Sequence, residues 1–367
     1  MTGMLAALAS GYHGPPQFTF ARAISSWTLD PWSLTVIIVA GVLYLAGVRR
    51  IRRSGADWPA GRVVSFCGLG LGFAAVATMS SVGVYQPVLF YLRSVQTILL
   101  LLVVPLFLAL GRPLTLIIAS VPGLGPRLNS AIKSRPARLV TFPAITTLAI
   151  VLTPFLIYFT PWYAAGFRSG LVAQVTQLAL LAPGFVFFWT LLRVDPVPKA
   201  YPYVITLWIT AAEVVGDAVL GLAVIADNRL LAASYYHALA RPWGPDLSTS
   251  QVLGGGVLWI LGDIVGLPFL AAQLIQMIRE DEADAKVIDA ELDAREAAAA
   301  AGAGIAGEDP ARAAQPGPTV TQRPWWETDR RFADRFRALD TAGGTPPPSG
   351  GHPPTTPQNP KTARRDA

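Results

Sequence analysis

Residues 202–226 read PYVITLWITAAEVVGDAVLGLAVIA, and this stretch decides the fold. It exceeds the roughly 20 apolar residues that an α-helix needs to cross the hydrocarbon core of a bilayer. Two carboxylates, Glu213 and Asp217, interrupt it. A charged side chain at the bilayer centre costs on the order of 3 kcal/mol, so such residues usually face a bundle interior. The stretch therefore predicts a transmembrane helix with a candidate functional site.

The composition extends this interpretation to the whole chain. Hydrophobic residues make up 52% of the sequence and charged residues 14%, against roughly 25% charged in soluble domains. The mean hydropathy is +0.45. Alternating strands of the membrane-barrel type are absent from the sequence pattern. We predict an all-α, polytopic membrane helix bundle whose first partner is the lipid bilayer.

Apolar length and helix breakers predict seven transmembrane helices. They cover residues 31–48, 62–82, 89–110, 139–160, 170–192, 202–226 and 252–277. Two intervening loops hold most of the basic residues: Arg49, Arg50, Arg52, Arg53 and Arg62 in the first, and Arg112, Arg127, Lys133, Arg135 and Arg138 in the second. Loops rich in Lys and Arg stay in the cytoplasm, so the N-terminus is expected outside and the C-terminus inside.

The domain organisation follows from these spans. We expect an extracytoplasmic segment at 1–30, a seven-helix transmembrane domain at 31–278 and a charged, Ala-rich cytoplasmic helix at 279–301. Residues 302–367 are rich in Pro and Gly and are expected to be disordered. A basic aromatic patch at 324–339 could dock on the inner leaflet or on an acidic partner, or could be a short ordered patch without function.

The candidate site is an intramembrane polar cluster. Glu213 and Asp217 are four residues apart and share one helix face, where their like charges repel. A proton, a metal ion or an arginine would relieve that repulsion. Asp263 in the last span and Arg93 in the third could complete the cluster. A buried salt bridge that fixes helix register, a proton or ion site and a contact with a partner protein remain open alternatives.

Other polar residues give weaker signals. Gln96, Gln174 and Gln177 lie within spans and suit hydrogen bonds between helices, and Gln251 opens the last span. The three histidines, His13, His237 and His352, have no ligand spacing, so no metal site is predicted from spacing. No set of nucleophile, base and oxyanion donor can be assembled, so we do not expect an enzyme. Because the basic residues flank apolar runs, nucleic acid is not an expected partner.

A series of motifs carries a family resemblance. The motifs are Leu110-Gly111-Arg112-Pro113, Tyr158-Phe159-Thr160-Pro161-Trp162-Tyr163, Phe187-Phe188-Trp189, Asp195-Pro196-Val197-Pro198, Tyr235-Tyr236, Arg241-Pro242-Trp243-Gly244, Gln251 with Gly254-Gly255-Gly256 and Trp259, and Asp281-Glu282-Ala283. In this order they resemble the CtaG-type cytochrome c oxidase assembly proteins, in the actinobacterial form related to members fused to a copper-resistance module. The resemblance implies a seven-helix bundle in the bacterial plasma membrane, linked to copper delivery for the respiratory chain.

The chain departs from that family at its histidines. The resemblance places two histidines of the third span at Arg93 and Thr97, and the sixth-span histidine near Asp217. Fifth-span histidines fall near Ala173, Gln174, Gln177 and Ala179, an aspartate falls at Ser250, and Asp263 stands where a glutamate is common. We therefore expect a factor for oxidase assembly or maturation whose copper site is altered or absent, which docks to oxidase subunits. An ion- or proton-coupled transporter and a scaffold that recruits a partner through its tail are the alternatives.

Overall fold

A computed structural model describes residues 11–121, 123–199 and 201–305. The chain divides into two compact units, Met1–Val287 and Ile288–Ala367. In the second unit, the described residues 288–305 are helical, and Glu291 pairs with Arg295 one turn later. The predicted disordered tail beyond residue 305, with the basic aromatic patch at 324–339, lies outside the described residues. Residues 1–10 of the N-terminal segment lie outside them as well.

Sixteen α-helices are described, and no strand occurs among the described residues. They are α1 (Phe20–Ser25), α2 (Pro31–Arg53), α3 (Ala60–Val63), α4 (Leu71–Met79), α5 (Ser81–Tyr85), α6 (Phe90–Ile98), α7 (Val104–Leu110), α8 (Pro113–Ser120), α9 (Leu124–Ile132), α10 (Arg135–Val140), α11 (Pro143–Phe159), α12 (Trp162–Arg168), α13 (Gly170–Leu192), α14 (Tyr203–Ala226), α15 (Ala233–Leu239) and α16 (Leu247–Ile305). Two π-helical segments, Val64–Gly70 and Leu99–Val103, join α3 to α4 and α6 to α7.

The predicted membrane helix bundle is confirmed. Six helical stretches among the described residues are long and apolar enough to cross a membrane, and a seventh is present if α11 and α12 count as one span. These two helices meet at an angle of 68°. Pro161 explains the bend, because the residue before a proline is disfavoured in helical conformation, and Thr160 is extended. The orientation of the termini remains a prediction.

Apolar side chains cover both the inside and the outside of the first unit. Leu101, Ile150, Phe187 and Leu258 are buried in the core, where helices pack closely. Large apolar side chains also point outward; they include Leu43, Leu148, Trp208 and Ile264. An apolar outer surface is what the hydrocarbon of a bilayer requires, whereas exposing it to water would be energetically unfavourable.

Glycines allow the closest helix approaches. A Cβ added to Gly184 on α13 would lie 1.9 Å from the carbonyl oxygen of Leu101. On α16, a Cβ on Gly255 would lie 2.7 Å from the carbonyl oxygen of Gly221 on α14. α14 and α16 therefore touch backbone to backbone, and this contact brings their polar side chains together.

Two of the sequence motifs meet where α7 leads into α8. Asp195 is buried and accepts hydrogen bonds from the backbone amides of Leu114 (3.1 Å) and Thr115 (2.9 Å). It thus caps the N-terminus of α8 from a distant part of the chain. The Tyr44 hydroxyl donates to the Gly111 carbonyl at 2.7 Å, and its ring stacks on Phe66. Tyr44 thus ties α2 to the turn between α7 and α8, and Asp195 ties α8 to the segment after α13.

Candidate functional site

Glu213 and Asp217 lie on the face of α14 that packs on α16. Their exposed fractions are 2% and 3%, and one helical turn separates them, so both carboxyl groups lie on the same side of the helix. Asp263 of α16 is half-buried and close enough to interact electrostatically with both. The structure therefore brings together the three carboxylates that sequence reasoning had grouped.

Glycines on α16 make room for these carboxylates. A Cβ on Gly262 would lie 2.3 Å from Oδ2 of Asp217, and one on Gly266 would lie 3.3 Å from Oε2 of Glu213. One oxygen of each carboxylate, Oε1 of Glu213, Oδ2 of Asp217 and Oδ1 of Asp263, is buried without a hydrogen-bond partner. The cluster is therefore tightly enclosed and incompletely satisfied.

Among the residues that the structure describes, no arginine or lysine forms an ion pair with this cluster. Across the described residues, Glu291–Arg295 is the one ion pair with nitrogen and oxygen within 4.0 Å. Glu213, Asp217 and Asp263 therefore lie near one another without a basic partner within that distance among the described residues.

Arg93 lies in a different polar cluster, at the start of α6. Its Nη1 donates to Oε1 of Gln86 at 2.9 Å and to Oε1 of Gln96 at 2.8 Å. The guanidinium carbon is 5.6 Å from the centre of the Phe167 ring. The side chain is only 5% exposed, and its Nε has no hydrogen-bond partner. Amide oxygens and an aromatic face, rather than a carboxylate, thus surround this charge.

Tyrosine hydroxyls complete the surroundings of Arg93. Tyr158, Tyr163 and Tyr236 lie close enough to interact with its charge. The hydroxyls of Tyr163 and Tyr236 are 2.9 Å apart, and that of Tyr158 is 2.9 Å from Oγ1 of Thr97. Sequence reasoning used these tyrosines only as family motifs. These tyrosines recur in the motifs after the fourth span and before the last span, and this recurrence is the sequence signal that could have indicated them as site residues.

The hypothesis that Arg93 joins Asp217 is therefore corrected. From their positions along their spans, Arg93 and Asp217 are expected at a similar depth in the membrane. Depth alone does not determine which neighbouring helix each side chain faces. α6 directs Arg93 towards Phe167 of α12, whereas α14 directs Asp217 towards Gly262 of α16.

The glutamines serve different purposes. Gln96 donates to the Ala77 carbonyl at 2.8 Å in addition to its bond with Arg93, and Gln177 accepts from the Ser33 hydroxyl at 3.3 Å. Both link separate helices. Gln174 is half-buried on α13.

Gln251 fastens the loop between α14 and α15. Its Nε2 lies within hydrogen-bonding distance of the carbonyls of Val224 (3.3 Å), Asp227 (3.2 Å) and Arg229 (3.1 Å). Its Oε1 accepts from the Leu231 amide at 2.8 Å. One side chain therefore fixes the backbone of the whole loop, a role that spacing in the sequence did not reveal.

Comparison with known proteins agrees with this architecture. A family model described as cytochrome c oxidase caa3 assembly factor matches residues 42–280, which is more than half of the chain. The chain belongs to this assembly factor family. The match includes both polar clusters and the motifs around them.

Curated relatives of this assembly factor family member come from mycobacteria. Uncharacterized proteins of Mycobacterium bovis and Mycobacterium tuberculosis are each 27% identical over 303 residues, which is 77% of this chain and 45% of theirs. A protein of Mycobacterium leprae, also uncharacterized, is 27% identical over 281 residues, or 74% and 42%. The chain thus spans less than half the length of these relatives. No solved structure matches it significantly.

The residues present do not fit the copper that the resemblance implies. Copper(I) prefers thiolate, thioether and imidazole ligands. In the described ranges, no three His, Cys, Asp or Glu residues lie together in a way that could hold a metal ion. His13 and His237 are both exposed, and Cys67 is half-buried beside apolar residues. The assembly factor family member thus offers oxygen atoms where a soft metal would need sulfur or nitrogen.

Proposed function

We propose that the protein is an integral factor of the bacterial plasma membrane for the assembly or maturation of cytochrome c oxidase. The observation that carries the proposal is the family match, which covers the membrane bundle from residue 42 to residue 280. The proposed partners are oxidase subunits embedded in the same bilayer. In this proposal the protein holds a subunit during assembly and catalyses no reaction.

The polar residues of the bundle support a holding role over copper transfer. Arg93 is bonded to amides, and the three carboxylates offer only oxygen. Copper for the oxidase would then reach it through another component, and this protein would act before or beside that step.

A deletion strain tests the proposal. We expect loss of oxidase activity and of the haem a absorbance band in membranes, with recovery when the full chain is restored. Added copper should leave the defect unchanged, and an affinity-tagged chain should co-purify with an oxidase subunit. Full oxidase activity in the deletion strain would refute the proposed function, and full rescue by copper would refute the holding role.

Ion- or proton-coupled transport is the second candidate, because Glu213 and Asp217 are buried and no basic side chain among the described residues lies within 4.0 Å of them. Proteoliposomes with an internal pH-sensitive dye provide its test. A variant with Glu213→Gln, Asp217→Asn and Asp263→Asn should abolish any proton flux that the wild-type chain shows. Absence of flux in the wild-type chain would exclude this candidate.

A further inference from the structure

An elongated apolar groove runs between α2 and α8. It encloses about 550 Å³, and its lining includes Leu43, Gly47, Leu116, Ile117 and Val121. The Tyr44 hydroxyl at its wall is already bonded to Gly111, so the surface offered to an occupant is almost entirely hydrocarbon.

One end of the groove is basic. Arg50 lines the groove itself, whereas Arg49, Arg52 and Arg53 lie on other faces of the last turns of α2, where they line a separate cavity of about 400 Å³. All four arginines are exposed. Within the residues that the structure describes, no carboxylate lies within 4.0 Å of them. The described residues thus give these four positive charges at the end of α2 no carboxylate partner within that distance.

The two ends of the groove differ, because one is apolar and the other is charged. Ala40 and Arg50 both line it, and at 1.5 Å per residue they are about 15 Å apart along α2. α2 is among the helices that can cross a membrane, so Ala40 lies within the span and Arg50 near its end. An occupant must therefore be apolar along most of its length and negatively charged at one end.

We propose that this groove binds an anionic phospholipid. One acyl chain lies along Leu43, Gly47 and Ile117, and the phosphate oxygens accept hydrogen bonds from Arg50, with the neighbouring arginines adding attraction. Basic pockets beside membrane helices recognise lipid headgroups through this combination of charge and apolar surface. Charge complementarity at the Arg50 end favours a lipid over a neutral transmembrane helix.

Native mass spectrometry of the full chain, ejected from nanodiscs of equal phosphatidylglycerol and phosphatidylcholine, tests the proposal. We expect wild-type protein to retain phosphatidylglycerol preferentially. Arg50→Gln should reduce that preference about fivefold, because one basic residue near the surface contributes a factor of this size. Ala46→Phe should exclude both lipids, since Ala46 lines the groove and carries no charge.

Arg138→Gln is the matched control, because Arg138 is an exposed arginine on α10 that does not line the groove. It should leave lipid retention unchanged. Circular dichroism and gel filtration confirm that each variant is folded. Equal losses in Arg50→Gln and Arg138→Gln would overturn the proposal, because the attraction would then be general. Retention of both lipids by Ala46→Phe, or a co-purified polypeptide that Ala46→Phe displaces, would overturn it as well.

Discussion

Arg93 and Asp217 belong to separate polar clusters, so their contributions to stability should be independent. We expect the effects of Arg93→Met and Asp217→Asn on the free energy of unfolding to add to within about 0.5 kcal/mol, because the two side chains share no partner. Denaturant titration of both single variants and the double variant measures this sum. Recovery of stability in the double variant would show that they pair after all.

A second cycle provides the positive control for that measurement. Glu213 and Asp217 are neighbours one turn apart on the same buried face of α14, so Glu213→Gln and Asp217→Asn should deviate from additivity by about 0.5 to 3 kcal/mol. Additive losses here would contradict coupling between the two carboxyl groups.

At the start of α16, Asp246 gives a pH-dependent contribution. Hydrogen bonds from the Ser248 hydroxyl and from Thr249 hold the pKa of Asp246 well below its usual range. A depressed pKa in the folded state means that the charge stabilises the fold above the unfolded pKa of about 4, and that this stability is lost as the pH falls through the folded pKa.

Asp246→Asn should therefore lower the thermal midpoint at pH 7, and the difference from wild type should shrink below about pH 4. Thermal unfolding of both proteins in detergent across this range measures the difference. A difference that stays constant down to pH 2 would contradict the role of the charge.

The sequence grouped three carboxylates that lie near one another in the structure, but it also grouped Arg93 with them, and Arg93 lies in another cluster. The sequence could group Glu213, Asp217 and Asp263 because only two helices, α14 and α16, are involved. Helical spacing relates the two carboxylates of α14, and position along the span relates them to Asp263. The surroundings of Arg93 involve α6, α11, α12, α15 and Gln86 just after α5, and the rotation of each helix about its axis depends on packing with all the others. One sequence contains no direct measure of that rotation.

At the scale of helices, the triple glycine of α16 contains two adjacent positions at which substitution by alanine should change the stability of the protein in opposite directions. Gly255→Ala should destabilise the protein by about 1 to 3 kcal/mol, because its Cβ would meet the carbonyl of Gly221 on α14. Gly256 has nothing within 4 Å of an added Cβ, so Gly256→Ala should stabilise the helix by about 1 kcal/mol or less. Thermal midpoints of the two variants in one detergent provide the comparison. A midpoint that falls for both would argue against the close crossing.

Helix lengths were easier to predict than helix joints. The apolar runs at 170–192 and 202–226 match α13 and α14 closely, because hydrocarbon thickness sets the length of a span directly. The run at 139–160 is instead divided among α10, α11 and the bend before α12. Proline at 161 was visible in the sequence, but the angle of the bend depends on the helices against which α12 packs.

For the molecule as a whole, the expected orientation can be tested with the single native cysteine removed. In a Cys67→Ser background, Ser54→Cys should be protected from a membrane-impermeant maleimide in intact cells, and His237→Cys should be labelled. Both positions are exposed, so access depends on the side of the membrane alone. We expect this orientation because the end of α2 is rich in arginine, and basic loops remain in the cytoplasm. Labelling of Ser54→Cys with protection of His237→Cys would reverse the orientation.

Gln251 binds the backbone of three loop residues, Asp227, Arg229 and Leu231, and this has a consequence for the order in which the protein is made. The loop is translated before Gln251, so residues 227–231 emerge from the ribosome without the side chain that later binds them. In a nascent chain arrested before Gln251 is added, protease should cleave the loop at 227–231. In a chain extended past Gln251, the loop should be protected. Biogenesis of this segment thus waits for the last helix to be made.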